Sequence, residues 1–294
     1  MPFSGLMIKV IELFCNTVSV FTAGYPGAFI RTNPVPARAD GTNVRAVTFN
    51  LKCSGIGKTS VGFRERLLIA QLKEYDADSI GFQEATPEWL CFLKKGLTDY
   101  AYVGRTRDDG EAIGEANPVF YKKDKFNLID YDTFWLSKTP DRVGSSDWNS
   151  SCNRICTWAL LENRETKERY VHFNTHLDHK SPLARDEQIN VVFSRLNKYI
   201  KDYPVVLTGD FNAFEDSSVY SRITSVLGDA RYLAPVTTDM FTFHDYGERA
   251  ERIDFVFVNS AFEPLVFHVI DDKILDFYLS DHFGIFVDLK LGTN

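Results

Sequence analysis

The chain contains little cysteine, and its cysteines follow no regular spacing. Five of the 294 residues are cysteines, an odd number that excludes a fully paired disulfide framework. None of the intervals between them matches a structural zinc site. Because disulfides persist mainly in oxidising compartments, this pattern favours a reducing one, and a cytoplasmic location is expected.

A long hydrophobic run is also missing. The most apolar stretch, Met7–Phe21, is interrupted by Lys9, Glu12 and Asn16 and falls short of the roughly 20 apolar residues of a membrane span. Secretion after signal cleavage is the alternative, because Lys9 precedes the apolar stretch and small residues follow it. Residues 1–42 are therefore predicted to be an N-terminal extension, a signal or a linker, and residues 43–294 to form the domain.

The chain has no excess of positive charge. A formal net charge of -7 and a pI near 5.4 argue against a broad basic surface that would bind duplex nucleic acid independently of its sequence. Internal repeats, low-complexity tracts and glycine-rich phosphate-binding loops are absent from the sequence as well. At this length, with 44% hydrophobic residues, one large buried core is expected.

The chain is rich in short β-prone segments that alternate with amphipathic helices. Apolar residues at helical spacing predict helices over Phe63–Tyr75, Pro87–Leu97 and Leu183–Ile200. Two β-rich segments separated by charged residues, Ile155–Leu161 and Arg169–Thr175, predict an antiparallel hairpin. This mixture indicates the α/β (α+β) class, with mixed sheets flanked by helices. Further strands are predicted at Val44–Leu51, Ser79–Phe82, Tyr100–Gly104, Asn117–Tyr121, Phe126–Leu136, Pro204–Thr208, Ile253–Val258, Leu265–Ile270 and Phe283–Leu289.

Acidic, amide and imidazole side chains recur where these strands end. Taken singly, each has an ordinary explanation, such as a turn for Asn50, a helix cap for Glu84 or an arginine partner for Asp254. Together they favour one shared site, because carboxylate and amide oxygens with imidazole can support metal-assisted attack of water on phosphorus. The residues are Asn50, Glu84, His176, Asp210, Asn212, Asp254, Asp281 and His282.

This ordered set resembles the endonuclease/exonuclease/phosphatase superfamily, which has the deoxyribonuclease I-like fold. The resemblance covers about residues 43–291, and the segment Asn174–His179 is most similar to uncharacterised bacterial members. It implies a four-layer α/β/β/α sandwich, in which two mixed sheets pack face to face with helices outside. It also implies a hydrolase of phosphate esters that uses Mg²⁺ or Mn²⁺.

The resemblance and the chemistry of the side chains agree on a role for each residue. Glu84 is expected to be the principal metal ligand, with Asn50 as a neutral oxygen donor and Asp281 completing the site. Asp210 is expected to orient or deprotonate the attacking water. Asn212 would hold the phosphate or that water by hydrogen bonds.

The remaining residues are expected to act on the phosphoryl group and the leaving group. His282 would contact the phosphoryl oxygens while Asp254 holds its other ring nitrogen. His176 matches the position that assists the leaving group, and Glu115 fits the glutamate that pairs with this histidine in the deoxyribonuclease branch. Arg154 is a candidate phosphate clamp, because a guanidinium binds phosphate oxygens in pairs, and a surface arginine at a strand end is the alternative.

Two departures from known branches limit what can be said of the substrate. Abasic-site enzymes have an acid where this chain has Lys52, and deoxyribonucleases have a basic residue where it has Thr86, so duplex nucleic acid is not favoured. The predicted function is a metal-dependent hydrolase of phosphate esters, with phosphodiesters favoured. The alternatives are a phosphomonoesterase acting on a sugar, inositol or nucleotide phosphate, and an inactive phosphate-binding relative. Trp148 is the aromatic residue expected to face the substrate.

Overall fold

The computed structural model describes residues 34–274 and 277–292. The apolar stretch Met7–Phe21 lies outside these residues. Residues 34–41 of the predicted N-terminal extension have neither helix nor strand, yet Arg38 forms an ion pair with Asp78 and Val35 packs against the core. This part of the N-terminal extension therefore contacts the domain.

The β-rich segments form strands close to the predicted positions. In chain order these are β1 Val44–Asn50, β2 Ser79–Gln83, β3 Tyr100–Val103, β4 Val119–Lys122, β5 Phe126–Trp135, β6 Ile155–Asn163, β7 Arg169–His176, β8 Val205–Asp210, β9 Gly228–Asp229, β10 Val236–Thr237, β11 Asp254–Val258, β12 Phe262–Ile270, β13 Lys273–Ile274, β14 Phe277–Tyr278 and β15 Gly284–Leu291. The bounds of the longer strands differ from the prediction by only a few residues at their ends.

Two mixed sheets contain most of these strands. The first has the order β10-β12-β15-β1-β2-β4-β3, the second has the order β5-β6-β7-β8-β11-β9, and β13 pairs with β14 in a short hairpin. Strands β6 and β7 form the predicted antiparallel hairpin, whereas β1 and β2, and likewise β7 and β8, are parallel. Parallel neighbours end at the same edge of a sheet. As a result, Asn50 lies beside Gln83, and His176 lies beside Asp210.

Helices cover the outer faces of both sheets. They are α1 Val61–Tyr75, α2 Pro87–Gly96, α3 Pro182–Leu196 and α4 Ser218–Thr224, whereas the short α5 Ala230–Leu233 packs through Ala230 against the apolar layer between the sheets. The starts of α2 and α3 follow from a proline in the first turn and a capping side chain, because Thr86 accepts the N–H of Trp89 and Ser181 accepts the N–H of Ala184. Helix α3 ends four residues before the predicted Ile200, and the short α4 and α5 were not predicted.

Three apolar layers alternate with the secondary structure. One lies between α1, α2 and the first sheet, one lies between the two sheets, and one lies between the second sheet and α3 and α4. The layer between the helices and the first sheet contains Leu68, Trp89 and Phe49. The layer between the two sheets contains Ala46, Val206 and Val256. The layer between the second sheet and its helices contains Ile189, Phe173 and Ile223. The predicted four-layer α/β/β/α sandwich is confirmed. Within the described ranges, no helix has both the length and the apolar character needed to cross a bilayer.

A seam of polar side chains crosses the apolar interface between the two sheets. At its centre, Asn174 of β7 donates to the carbonyl oxygens of Phe82 and Pro118 at 2.8 and 3.1 Å, and it accepts from Gln83 Nε2 at 2.6 Å. All of these groups are buried, so each lost hydrogen bond would leave an unsatisfied polar atom. Asn174 therefore ties the second sheet to the ends of strands in the first.

His172 lies two residues before Asn174 on β7 and continues this seam. Its ring nitrogens contact Ser79 of the first sheet at 2.9 Å and Thr208 of the second at 2.8 Å. Burial lowers the pKa of His172 to about 3, so the ring is neutral and donates from one nitrogen while accepting at the other. The two sheets are thus held in one relative register by side chains as well as by apolar packing.

The tightness of the seam predicts a large effect of a single methyl group. A Cβ built on Gly81 of β2 would lie 2.6 Å from the side chains of Asn174 and Thr208. We expect Gly81→Ala to lower the free energy of unfolding by about 2 kcal/mol in urea titrations, because the seam must open to admit it. Gly292→Ala is the matched control, since the nearest atom there is 3.3 Å away, and it should be close to neutral. Equal stability of Gly81→Ala and the wild type would contradict close packing at this point.

Candidate active site

Both sheets contribute polar residues to one end of the sandwich. Asn50 ends β1 and Glu84 follows β2 in the first sheet, while His176 ends β7 and Asp210 ends β8 in the second. Strand β11 runs antiparallel to β8, so its first residue, Asp254, pairs with Asp210. Asp281 and His282 precede β15, which is antiparallel to β1, and they therefore reach the same end.

A cleft of about 650 Å³ opens at this end. Most of the residues predicted from the sequence line it, namely Glu84, Glu115, Arg154, His176, Asp210, Asn212, Asp281 and His282. Asn50 and Asp254 are fully buried behind the floor of the cleft, where they contact residues that line it. The structure thus brings together all ten predicted site residues.

Asp210 is the centre of the cleft floor. Its Oδ2 accepts from Asn50 Nδ2 at 2.9 Å and lies 3.4 Å from His176 Nε2 and 3.8 Å from His282 Nε2, while its Oδ1 accepts from the N–H of Asn212 at 3.0 Å. Burial and the neighbouring charge of Asp254 raise the pKa of Asp210 to about 7. A carboxyl group with a pKa near neutrality is suited to accepting a proton from water.

His282 is held as a cation next to Asp210. Its Nδ1 lies 2.8 Å from Asp254 Oδ2. Burial alone would lower the pKa of His282, but Asp254, Asp210 and Asp281 outweigh it and raise that pKa to about 10. With Asp254 binding Nδ1–H, the Nε2–H is directed toward Asp210 and the cleft.

Backbone conformation turns the functional side chains into the cleft. Lys52, Glu84 and Asn212 follow strand ends, and their φ angles of 56°, 57° and 47° lie in the left-handed region. Side chains other than glycine rarely adopt this region, and strained residues of this kind cluster at functional sites. The alternative that Glu84 caps the following helix does not hold, because Thr86 caps it.

Two ionised carboxylates lie at one end of the floor. Glu84 accepts from Cys53 N–H at 2.7 Å; burial opposes its ionisation, but the hydrogen bonds of Cys53 and the charge of His282 together outweigh burial and lower the pKa of Glu84. Asp281 pairs with Lys52 Nζ at 2.7 Å, and the charges of His282 and Lys52 outweigh burial and lower the pKa of Asp281. Hard, ionised oxygen donors facing one cleft fit Mg²⁺ or Mn²⁺.

The described groups do not form the predicted ligand set in a single cluster. The Asn50 carboxamide turns its nitrogen toward Glu84 at 3.2 Å and its oxygen toward the N–H of Lys52 at 3.0 Å. Potential metal-ligating atoms within 4.8 Å of one another are instead those of Cys53, Glu84 and Glu115, and those of Asp210, Asp254 and His282. Next to Asp281, the ammonium group of Lys52 provides positive charge, as a divalent ion would.

The pairing of Glu115 with His176 that the resemblance implies is not formed. Glu115 is bound by Arg107 at 2.6 Å, and within the described part of the chain Nδ1 of His176 has no hydrogen-bond partner. A full guanidinium charge is a stronger partner for this carboxylate than a neutral imidazole. Burial and the charges of Arg154 and Arg107 lower the pKa of His176 well below its ordinary value, so His176 is neutral.

Arg154 lines one wall of the cleft and is almost completely buried. Its Nη2 lies 3.1 Å from Nδ1 of His179, and its Nε, 4.0 Å from Asp178, makes no hydrogen bond within the described residues. A buried guanidinium with an unused donor that lines the cleft is a ready partner for an anion. Arg154 is therefore not the surface arginine of the alternative interpretation.

Asp178 organises the loops that carry this wall. Its carboxylate accepts from the N–H and hydroxyl of Ser151 at 2.7 and 2.6 Å, from the hydroxyl of Ser150 at 3.0 Å, and from the N–H groups of Lys180 and Ser181 at 2.9 and 2.8 Å. Burial opposes ionisation, but these bonds outweigh it and hold the pKa of Asp178 well below its usual range. The loop before Arg154 and the loop of His179 are thus joined through one carboxylate.

The aromatic residues at the cleft differ from the prediction. Trp148 is half-buried and does not line the cleft, and its carbonyl oxygen accepts from Ser181 Oγ at 2.9 Å. Phe214, which is 50% exposed, and Phe243, whose ring centroid is 4.7 Å from that of His282, line it instead. The prediction for Trp148 was wrong because its loop is folded against the start of α3.

Residues 47–282 match the model of the Endonuclease/Exonuclease/phosphatase family. The chain belongs to this family. The family members are hydrolases that act on phosphate esters, and they generally depend on divalent metal ions. The membership predicted from the order of strand-end residues is thereby confirmed.

Solved structures of bacterial family members are similar along most of the chain. A family member from Bacteroides vulgatus is 33% identical with a TM-score of 0.81, covering 85% of this chain and 99% of that one. A mannosyl-6-phosphatase from Bacteroides thetaiotaomicron is 29% identical with a TM-score of 0.79, covering 84% of this chain and 99% of that one. The predicted similarity to bacterial members is therefore confirmed.

Curated relatives are more distant and longer. Nocturnin from Drosophila melanogaster is 23% identical over 87% of this chain and 48% of its own length. The CCR4-Not complex 3'-5'-exoribonuclease subunit Ccr4 from Candida albicans is 25% identical over 55% of this chain and 25% of its own length. The chain therefore spans less than half the length of either protein.

Several residues that line the cleft were not predicted from the sequence. Lys52 was interpreted only as a difference from abasic-site enzymes, although its position two residues after Asn50 places it at the same strand end. Arg107, Phe214 and Phe243 lie in loops without any flanking pattern that would have singled them out. Their positions depend on long-range contacts.

The network around Asp178 predicts a pH-dependent stability. Asp178→Asn replaces one carboxylate oxygen by an amino group, which cannot accept the hydrogen bonds of the surrounding donors. We therefore expect the free energy of unfolding at pH 7 to fall by about 2 kcal/mol. Because the folded-state pKa of Asp178 is below the ordinary 3.8, its contribution is present above pH 3.8 and is lost as the pH falls through the folded-state pKa. The difference between wild type and variant should therefore shrink between pH 4 and pH 2 in urea titrations.

The exposed carboxylate of Asp202 offers a matched control. Asp202→Asn should leave stability nearly unchanged at both ends of the pH range. A difference for Asp178→Asn that stays constant down to pH 2 would mean that its charge does not stabilise the loops.

Proposed function

We propose that this protein is a divalent-metal-dependent hydrolase of phosphate esters, with Mg²⁺ or Mn²⁺ as cofactor and water as nucleophile. The observation that carries the proposal is the environment of Asp210. This carboxyl group, with a pKa near 7, lies on the cleft floor between Asn50 and two histidines, close to the ionised Glu84 and Asp281. Such an arrangement supports attack of water on a bound phosphoryl group.

Each residue of the floor has a separate task in this proposal. Asp210 accepts the proton of the attacking water, and Asn212, whose side chain is anchored to the Leu177 carbonyl at 3.0 Å, orients that water or the phosphate. His282, charged and fixed by Asp254, donates from Nε2 to a phosphoryl oxygen. Neutral His176, whose Nε2 lies 3.4 Å from Asp210 Oδ2, would assist departure of the leaving oxygen.

The acidic end of the floor would hold the metal ion. Glu84 and Asp281 would be its charged ligands, and Asn50, whose amide nitrogen faces Glu84 at 3.2 Å, would hold that carboxylate in place. When bound there, the ion supplies polarisation of a phosphate oxygen and neutralises charge in the transition state. Arg154 would bind the phosphate, and Arg107, which lines the same cleft, holds Glu115.

The size of the cleft favours a small ester over duplex nucleic acid. A volume of about 650 Å³ lies in the range of small-molecule sites, and the net charge of -7 does not favour a polyanion. A phosphodiester of a small molecule is the substrate class we propose first, as the family resemblance and the departure at Thr86 suggest.

A second candidate is a phosphomonoester of a sugar. It is favoured by Arg154, a buried guanidinium with an unused donor, because a terminal phosphoryl group carries about two negative charges at neutral pH. The mannosyl-6-phosphatase among the similar structures points the same way. The two candidates differ in whether the phosphorus bears one ester bond or two.

A substrate panel with and without EDTA tests the proposal. It should contain bis-p-nitrophenyl phosphate, p-nitrophenyl phosphate, mannose 6-phosphate, single-stranded RNA and duplex DNA, each with Mg²⁺ or Mn²⁺. We expect turnover of at least one small ester and its loss with EDTA. Undetectable turnover of the whole panel by folded, metal-loaded protein would leave the inactive phosphate-binding alternative.

The assignment of the metal ligand predicts the effect of removing one charge. We expect Glu84→Gln to weaken Mn²⁺ binding measured by calorimetry and to reduce kcat/KM at least about a hundredfold, because metal assistance contributes several kcal/mol. Glu111→Gln, at an exposed carboxylate outside the cleft, is the matched control and should change neither quantity. Unchanged Mn²⁺ affinity in Glu84→Gln would remove Glu84 from the metal site.

The role of Asp210 predicts a different combination of effects. Asp210→Asn abolishes the proton acceptor, so we expect kcat to fall at least about a hundredfold, within the usual range for a lost general base. KM and Mn²⁺ affinity should change much less than in Glu84→Gln. A variant that loses Mn²⁺ binding as completely as Glu84→Gln would make Asp210 a metal ligand and not the base.

A further inference from the structure

The cleft has a buried floor and an exposed rim, which separate the two ends of a bound ester. Asp210, His176 and His282 on the floor are between 2% and 5% exposed. His179 and Phe214 line the same cleft but are exposed to solvent. Because the floor is closed behind by Asn50 and Asp254, an ester with its phosphorus at Asp210 extends its alcohol part toward the rim.

The hydrogen bonds of His179 determine which of its ring nitrogens carries the proton. Arg154 Nη2 lies 3.1 Å from Nδ1, and a guanidinium can only donate, so Nδ1 is an acceptor. Ser151 Oγ lies 3.2 Å from the same nitrogen but is 2.6 Å from Asp178, to which it donates. The opposite tautomer would set the N–H of His179 against an N–H of Arg154. The proton is therefore on Nε2, for which the described residues supply no partner.

This donor is held in place before any ligand arrives. Asp178, the neighbour of His179, is fixed by five hydrogen bonds from the loops on both sides, and its carbonyl oxygen accepts from Arg185 Nη1 at 2.9 Å. Arg185 also lines the cleft. A preorganised donor loses little conformational entropy on binding, which makes it suitable for discrimination between ligands.

His179 is neutral whereas Arg154 is charged, and the two side chains are expected to bind different parts of the substrate. Burial and the neighbouring guanidinium lower the pKa of His179, so the ring is neutral around pH 7. A neutral N–H can donate to a phosphate oxygen or to a hydroxyl oxygen, so the position of His179 decides between them. Arg154 supplies the charged donor for the phosphate, whereas His179 is exposed at the rim, toward which the alcohol part and its hydroxyl groups extend. Phe214 adds an apolar ring face to the same cleft, as a carbohydrate ring would require.

We propose that His179 is a specificity-determining residue, which donates a hydrogen bond from Nε2 to a hydroxyl oxygen on the alcohol part of the substrate, a sugar or another polyol. The inference rests on the proposed function, because it presumes that a phosphate ester occupies the cleft. It goes beyond that function in assigning recognition of the alcohol to a residue outside the reacting centre.

The test compares esters that share the phosphate and differ in the alcohol. One pair is mannose 6-phosphate with p-nitrophenyl phosphate, and the other is glycerophosphoinositol with bis-p-nitrophenyl phosphate. We expect His179→Ala to lower kcat/KM about tenfold for the polyol ester of whichever pair is hydrolysed, the equivalent of one lost hydrogen bond, and to spare the nitrophenyl ester. His179→Gln, which keeps an N–H at the same reach, should restore most of the loss.

Two controls keep a structural effect apart from recognition. Lys180→Ala changes the adjacent exposed residue, which does not line the cleft, and should leave both esters unaffected. Inhibition by inorganic phosphate should be the same in His179→Ala and wild type, because His179 contacts the alcohol and not the phosphate.

The possible results separate this inference from the proposed function. Equal losses for both esters of a pair, no loss for either, or a wild type that hydrolyses only nitrophenyl esters would overturn the inference and leave the proposed function standing. A wild type without metal-dependent turnover of any ester would overturn both. A loss confined to the polyol ester and restored by glutamine supports the inference.

Discussion

The hydrogen bond from Asn50 Nδ2 to Asp210 Oδ2, which is 2.9 Å long, joins strand ends of the two sheets at the floor of the cleft. Both groups are buried, and a buried carboxylate is costly unless it is hydrogen-bonded. Because Asn50 ends a strand of the first sheet and Asp210 ends a strand of the second, the bond requires both strands to end at the same level. Asn174 and His172 supply that alignment from the seam between the sheets, so the site depends on side chains that do not line the cleft.

The charges around this bond explain why the floor is suited to both a cation and an anion. Asp254 and Asp281 lie beside His282. Their charges, together with that of Asp210, raise the pKa of His282 to about 10 and so keep the ring protonated at neutral pH. Lys52 offsets Asp281, but the donors that the described residues bring to the Glu84 carboxylate, Asn50 Nδ2 and the N–H of Cys53, are neutral. The guanidinium of Arg154 lines the same cleft. Under the proposed function, a metal ion at Glu84 and a phosphate at Arg154 would share this cleft.

The fold and the floor were predictable from the sequence because both follow from local patterns. The β-prone runs give the strands, and the polar residue at the end of such a run marks the end where a site can form, as at Asp210 and His176. The loops could not be predicted in this way. Glu115 pairs with Arg107 within one loop that carries no regular pattern, and Asp178 binds Ser151 from 27 residues away, so the conformation of these loops is set by contacts that secondary-structure patterns do not encode.

The difference between the strand ends of the floor and the loops of the rim also bears on which residues can set the substrate preference. Asp210 and Asn50 are fixed by backbone ladders and the seam, and a change in their positions would require a change in the sheets. His179 and Phe214 lie on loops attached through Asp178 and the segment after Asn212, and they can change without moving the reacting centre. Relatives named as an exoribonuclease subunit and a mannosyl-6-phosphatase share the family, which is what such an arrangement permits. Under the proposed function, the floor would therefore carry out the reaction, and the rim would select the alcohol.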